Sequence, residues 1–386
     1  MKLVDLIKEE QLISFENDKA NAIAIPSRQQ MKYIIGIQNK NAFFAGLRML
    51  GTRTLKALVG KTILSVIYQS GLLKYLLKKN LVMINENNEL IEAIRKDYQG
   101  STGINIYVGS AKSRNLSLTL QVVSQGNEYY VRYPMSKTSE EFTAKEIENI
   151  NFLNQQRIQC PTQQVDKMIT LTQNPTPLYA YKGIPRYKTS TSLCVQKMKL
   201  LRQLASNETE TLQENTFFIE QVQEIKRMLV RNALALSPNL LPIFEKIVSG
   251  LKNISLKKAF FHGDFSPDNI LKSSGKLYLI DFEYSQPLFF ACFDLFHYLY
   301  KAKKFHLKII SLQDIKIIDT YLKKTYNGYP YSLKDESNSL VLVKLYIFYL
   351  FLLLKRFLVD EQIKTANPVI ERLQTSIHNL FVDSKL

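Results

Sequence analysis

Two periods of apolar spacing run along this chain, and they fall in different parts of it. Alternation at every second residue, the mark of a half-buried strand, covers Ile104 to Val108, Leu116 to Val123 and Glu128 to Tyr133. The turn Gly126-Asn127 separates the last two, so they predict a hairpin. Ala22 to Ile25 and Lys32 to Ile37 predict two shorter strands, punctuated by Pro26-Ser27. Between 54 and 79 the spacing is helical: Leu55, Leu58, Val59, Ile63, Val66 and Ile67 recur on it, followed by Leu73, Leu76 and Leu77. That stretch predicts one long helix. Another begins after Ser139 and carries Ile147, Ile150 and Leu153 on one face. The proline-rich run 174–177 leads into a strand over Leu178 to Ile184.

From 190 onward helical spacing dominates, over 193–205, 212–235, 239–251, 287–303, 313–325, 338–358 and 367–382. One segment interrupts it. Ile270-Leu271 opens a short strand, Ser273-Ser274-Gly275 has turn chemistry, and Leu277 to Ile280 is the returning strand. There is no internal repeat and no low-complexity tract.

Composition narrows the class. With 386 residues, 46% of them hydrophobic, the chain can bury a large core and is expected to hold two or three domains. The most apolar stretch, LYIFYLFLLL at 345–354, is too short to span a bilayer, which takes about 20 residues, and predicts a buried core helix. Cys160, Cys194 and Cys292 have no paired spacing, and the four histidines have no metal-ligand spacing. The beginning, MKLVDLIKEEQL, places acids where a signal sequence needs an apolar core. A reducing, cytoplasmic location is expected.

Charge adds a second theme. The formal net charge is +17, and between Lys19 and Asn85 there are eleven Lys and Arg but no Asp or Glu. Such a field suits phosphate-bearing partners. On the 54–79 helix, Lys56, Lys61, Lys74, Lys78 and Lys79 sit between the apolar positions. Two readings stay open: a basic amphipathic face for an anionic membrane surface, or an ordinary packing helix whose lysines are solvated. The first reading implies peripheral contact with an anionic membrane surface, the second implies none; nucleic acid is not expected.

The chemistry lies in the interruption. HGDFSPDNIL (262–271) is followed by LIDFEY (279–284), which puts Asp264, Asn269 and Asp281 at the spacing of a metal-dependent phosphotransferase. In a kinase catalytic loop an Asp accepts the proton of the attacking hydroxyl and an Asn five residues later holds magnesium. Asp264 and Asn269 have that separation. The hairpin would return Asp281 beside Asn269, giving magnesium the oxygen ligands it prefers. Upstream, the link Gly109-Ser110-Ala111-Lys112-Ser113-Arg114 is the candidate phosphate loop, with Ser110 and Lys112 facing ATP. Arg132 is the candidate cation for the nucleotide phosphates, gripped by Glu146 from the following helix. Lys137 is its substitute. Backbone groups of Tyr179 to Gly183 are expected to meet the adenine.

Residues 262–300, through HGDFSPDN, IDFEYSQP and FDLFHYLY, resemble the aminoglycoside phosphotransferase and choline/ethanolamine kinase family. The resemblance implies a protein-kinase-like two-lobe α+β fold, a small antiparallel-sheet lobe and a mostly helical large lobe. It makes Asp264 the catalytic base and Asn269 and Asp281 the magnesium ligands. Asp294 would brace the catalytic loop, and Glu283 would contact metal-bound water. Relatives usually carry Lys where Arg132 aligns. The expected organisation is an extra basic N-terminal α/β segment over 1–98, the small lobe over 99–183 and the large lobe over 184–386. The expected activity is ATP- and Mg²⁺-dependent phosphorylation of a small-molecule hydroxyl, sugar-like or amino alcohol. The alternative is a pseudokinase that binds nucleotide or serves as a scaffold.

Overall fold

The computed structural model describes residues 7–50, 55–108, 116–155, 162–172, 177–185, 187–332, 337–360 and 362–386. They form two compact units: Met1–Glu141 with Gln163–Arg186, and Phe142–Thr162 with Tyr187–Leu386.

In the first unit, strands β1 (Ile13–Ser14), β2 (Ala22–Ile25), β3 (Tyr33–Gly36), β4 (Leu81–Ile84) and β5 (Ser101–Val108) join four others. These are β6 (Ser117–Ser124), β7 (Asn127–Pro134), β8 (Val165–Ile169) and β9 (Leu178–Lys182). The nine make one sheet in the order β1-β4-β2-β3-β5-β6-β7-β9-β8, with antiparallel pairing throughout. The division expected at 98/99 runs through the middle of it, because β3 pairs directly with β5, Tyr33 opposite Tyr107 and Ile34 opposite Ile106. Strands of the basic N-terminal segment therefore extend the sheet rather than stand apart from it.

Alternation explains how the sheet is covered. Successive side chains on a strand point to opposite faces. Ala24 and Ile34 enter one core with Ile104, Ile106, Leu118 and Leu120. Their neighbours Ile23 and Ile35 enter a second core with Phe43, Leu47 and Leu81. The helix Lys40–Met49 supplies Phe43 and Leu47, and Asn39 caps it by accepting from the backbone N–H groups of Asn41 and Ala42. It lies so close to β5 that a Cβ on Gly46 would come within 2.7 Å of Asn105 Oδ1.

The single helix expected over 54–79 is two helices, Leu55–Gln69 and Leu73–Leu76. Gly71 separates them at φ +75°, a left-handed conformation cheap only for glycine. Apolar periodicity continued across the break, and nothing in that periodicity marked it.

The second unit is built around the helix Asn338–Lys355, the central helix hereafter. Residues 345–351 of its apolar run are buried. Phe348 reaches Phe218, Phe244 and Phe293 at ring-centroid distances of 4.8, 6.3 and 6.1 Å. Each such side chain contributes roughly 1.5–3 kcal/mol of burial. Among the described residues no helix is long and apolar enough to cross a membrane.

Two further expectations are corrected here. The helix expected over 287–303 begins at Cys292, because Gln286–Phe290 forms a strand, β14, paired with β11 (Ser255–Phe261). The helix expected from 212 begins at Thr216; before it Ala205–Thr211 forms β10, on the other side of β11. The β10 sequence, ASNETET, has no apolar alternation to announce a strand. It is recruited by the unpaired edge of β11.

Asn105 is the polar node of the first unit. It is fully buried. Its Nδ2 donates to Ala42 O and Gln121 Oε1, both at 2.9 Å, and its Oδ1 accepts from Gly36 N at 2.9 Å. One side chain thus joins β3, β5, β6 and the Lys40–Met49 helix. Asn105→Ala should lower the unfolding free energy of this unit by about 2–4 kcal/mol, because three buried partners lose their bonds at once. Denaturant titration followed by hydrogen exchange of β3 and β5 measures it; an unchanged midpoint would show that the node carries no weight.

Candidate active site

The site of the second unit begins where β11 runs out. After Phe261 the chain turns through His262 and Gly263, and Gly263 adopts φ +78°. A Cβ there would collide with the carbonyl of Tyr284, so only glycine lets the two loops pass. The loop's bare N–H groups need partners, as any buried backbone does. Asp294, on the helix Cys292–Ala302, provides them: Oδ2 accepts from His262 N at 2.8 Å and Oδ1 from Gly263 N at 3.1 Å. Burial pushes the Asp294 carboxyl up to about 7, and the two N–H donors pull against that rise.

His262 is fully buried and faces inward. Its Nδ1 accepts from Asp264 N at 3.3 Å, so the proton sits on Nε2, 3.0 Å from Ile280 O. Burial holds His262 below its ordinary value, in agreement with a neutral ring. This ring ties the catalytic loop to the strand that carries Asp281.

The hairpin forms as the spacing predicts. β12 (Ile270–Ser273) and β13 (Lys276–Leu279) pair with Ile270 opposite Leu279, and Ile280 N donates to Asn269 O at 3.1 Å. Asn269 therefore lies across the ladder from Ile280, the residue before Asp281. Asp281 itself takes φ +67°, an uncommon choice for a residue with a Cβ and one that Asp tolerates better than most. Beyond it, Glu146 Oε1 accepts from Phe282 N at 3.2 Å, and Asn149 Nδ2 donates to Ser285 O at 3.1 Å. Both lie on the helix Lys137–Gln155.

Asp264 sits at the centre, its side chain 18% exposed. Oδ2 accepts from Asn269 Nδ2 at 3.0 Å and lies 3.5 Å from Arg356 Nη2. Oδ1 lies 2.7 Å from His297 Nε2. A carboxylate can only accept, so His297 carries its proton on Nε2 and its Nδ1 accepts from Tyr349 Oη–H at 3.1 Å. Burial opposes the charge on Asp264, but Arg356 and the His297 hydrogen bond outweigh it and hold the carboxyl well below the usual range. Arg356 is fixed in turn: it donates to Gly263 O at 3.2 Å, and its guanidinium lies 3.8 Å from the centroid of the Tyr284 ring. It opens a turn of π-helix, Arg356–Asp360, that ends the central helix.

Beside this cluster is a cleft of about 300 Å³. Phe142, Phe217, Tyr284 and Tyr349 form its aromatic walls, and Lys145, Lys355 and Arg356 its cations. Glu220, Glu224 and Glu283 are its acids, and Lys355 already bonds Glu224 at 2.6 Å.

The fold has solved counterparts. Choline kinase LicA from Streptococcus pneumoniae matches with a TM-score of 0.50 at 15% identity, over 77% of this chain and 100% of that one. The GDP complex of aminoglycoside 2′-phosphotransferase-IIIa matches with a TM-score of 0.50 at 12% identity, over 76% and 99%. The chain has their protein-kinase-like fold. No protein-family model matches the sequence, and no curated protein does.

Within that fold the candidate residues fall into three groups. Asp264, Asn269 and the strand end bearing Asp281 are drawn together by the hairpin. Arg132 lies half-buried on β7 of the first unit, opposite Thr119 and Tyr179, while Glu146 belongs to the second unit and bonds Phe282. Ser110 and Lys112 lie outside the described residues. The adenine contact expected at Tyr179 to Gly183 needs correction. β9 is paired on both sides, and the N–H groups of Lys182 and Gly183 are taken by Gln164 O and Glu128 O at 3.0 and 2.7 Å.

Two residues of the site were not anticipated. His297 stands three residues after Asp294, one helical turn away on the same face, so the bracing role implied for Asp294 pointed at it. Arg356 followed the apolar run as a mere terminator and gave no signal.

Burial lowers the His297 pKa from 6.5 to about 4, more than Asp264 raises it. On acidification the unfolded chain is protonated first. The stabilisation from this group is thus complete above about 6.5 and lost as the pH falls towards about 4. Wild type should lose up to roughly 3 kcal/mol more than His297→Gln across that window. Melts of both proteins against pH test it, since Asp294 and His262 are common to the two; parallel curves would contradict a buried neutral His297.

Proposed function

We propose that this chain is an ATP- and magnesium-dependent phosphotransferase that phosphorylates the hydroxyl of a small, sugar-like alcohol. The observation that carries the proposal is the amide of Asn269. Its Nδ2 is committed to Asp264, donating to the backbone O and to Oδ2, both at 3.0 Å. Its Oδ1 accepts no hydrogen bond among the described residues. An amide oxygen on a largely buried residue, oriented by its own nitrogen and left open, is a suitable ligand for a hard cation. Asp281, arriving across the hairpin, would supply the second oxygen. Magnesium so held would neutralise charge on the nucleotide phosphates.

The chain's own groups do the rest. Asp264 accepts a hydrogen bond from the acceptor hydroxyl, orients its oxygen and receives the proton as the new bond forms. Its depressed pKa makes it a positioning base more than a strong one, which suits a reaction governed by alignment and charge. Arg356 and His297 keep that carboxylate ionised and aimed. Arg132 is retained as the phosphate cation, and Ser110 and Lys112 as members of the phosphate loop. A nucleotide as phosphate donor is supported by the GDP in the aminoglycoside enzyme's structure; adenine rather than guanine is part of the proposal.

For the acceptor, the cleft beside Asp264 combines flat aromatic walls with Lys145, Lys355 and Arg356. These cations are offset by Glu220, Glu224 and Glu283, with Lys355 already bonded to Glu224 and Arg356 beside Asp264. A charge-balanced lining with flat aromatic walls suits a neutral polyhydroxylated ring better than a polycationic alcohol. Cys194 and Cys292, both free among the described residues, favour a reducing, cytoplasmic setting.

Kinetics of four variants at three positions test the proposal. Asp264→Asn should remain folded, with a lowered melting temperature because its amide nitrogen cannot accept from the donors around it, and should lower turnover by roughly 10²–10⁴-fold. Asp281→Ala should raise the magnesium and ATP requirement instead. Arg132→Ala should raise KM for ATP, while Arg132→Lys keeps much of the activity. Equal turnover in wild type and Asp264→Asn would remove the assignment; a silent Arg132→Ala would shift the cation to another residue, Lys137 first.

A further inference from the structure

The helix Leu55–Gln69 is apolar on two opposite sides, and only one of them is covered. Leu64, Ile67 and Tyr68 pack on the sheet, with the Tyr68 ring stacked 3.9 Å from that of Phe43. On the other side Leu58, Val59, Ile63 and Val66 face solvent, each about half exposed, between 47% and 60%. The stripe continues onto Leu73–Leu76, where Leu76 is 61% exposed and Tyr75 82%. Seven of the seventeen exposed large hydrophobic side chains among the described residues lie between 58 and 76. A helix apolar all round is normally buried on every side. Concentrated exposed apolar surface marks a contact site.

Charge identifies the occupant. Lys74, Lys78 and Lys79 are exposed beside the stripe, Lys61 sits half-buried on the same helix, and no acid occurs from Lys19 to Asn85. An apolar stripe flanked by lysines, in a segment that carries no carboxylate of its own, matches the two layers of an anionic lipid surface. Acyl chains take the apolar side chains, and headgroups take the ammonium groups. A protein partner of ordinary composition has no such uniform need for positive charge around an apolar strip.

We propose that Leu58–Leu76 is a membrane-docking surface that holds the protein reversibly on anionic bilayers, with Ile63, Val66, Tyr75 and Leu76 entering the interface and Lys74, Lys78 and Lys79 on the headgroups. The surface belongs to the first unit and is independent of the catalytic reading. It does not decide which alcohol is phosphorylated.

Co-sedimentation of the full-length protein with vesicles tests it, using phosphatidylcholine alone or mixed equally with phosphatidylglycerol. Wild type should bind the anionic vesicles at least about tenfold better than the neutral ones at about 50 mM salt, and lose most of that at about 500 mM. The double variant Ile63→Ser/Val66→Ser should bind about tenfold less while melting like wild type, because both side chains are already in water. Lys74→Glu/Lys78→Glu should lose the preference for anionic lipid. Three results would overturn the proposal. One is no binding at low salt. Another is a double variant that binds like wild type. The third is a soluble dimer, or a complex with a short RNA, abolished by the same two serines, which would assign the surface to a second copy or to nucleic acid.

Discussion

Keeping a negative charge on Asp264 inside protein is the constraint around which the second unit is arranged. A carboxylate that is largely out of water must be met by donors or lose its charge. Here the donors come from three separate stretches: Asn269 at the mouth of the hairpin, His297 from the helix Cys292–Ala302, and Arg356 from the end of the central helix. Each holds Asp264 only if its own element is fixed. The central helix serves the core and the site together, since Phe348 packs the aromatic interior while Tyr349 and Arg356 reach the catalytic cluster.

Around that charge, irregular backbone is held by side chains rather than by strand ladders. Asp294 takes the N–H groups of His262 and Gly263, and Glu146 takes that of Phe282. Asn149 holds Ser285, and Ser285 Oγ donates to His262 O at 2.9 Å. The two loops are thereby locked to each other and to two helices. Positive φ at Gly263 and Asp281 falls within this frame, where tight packing sustains conformations the chain would otherwise avoid.

The candidate site was more legible in the sequence than the architecture was. HGDFSPDN and IDFEY singled out Asp264, Asn269 and Asp281, and the hairpin that draws their stretch together is local enough to be read from spacing. Strands β2, β3, β5, β6 and β7 followed from alternation. Partners brought in from far along the chain were invisible: Arg356 is 92 residues beyond Asp264 and no local pattern links them. β10 was missed because its partner, not its composition, makes it a strand. The break at Gly71 and the continuity of β3 with β5 are tertiary outcomes too. Local spacing records which residues could form an element, and long-range pairing decides where elements stop and join.

The central claim is that this carboxylate-centred site transfers phosphate to an alcohol. Phosphorus-31 NMR of the full-length protein with ATP, Mg²⁺ and a panel of polyhydroxylated and amino alcohols tests it most directly. The account predicts loss of the γ-phosphate signal with growth of a phosphomonoester signal for one class of alcohol, dependent on Mg²⁺ and abolished in Asp264→Asn. Bound nucleotide that stays intact with every acceptor, or a phosphoester formed equally fast by Asp264→Asn, would contradict it.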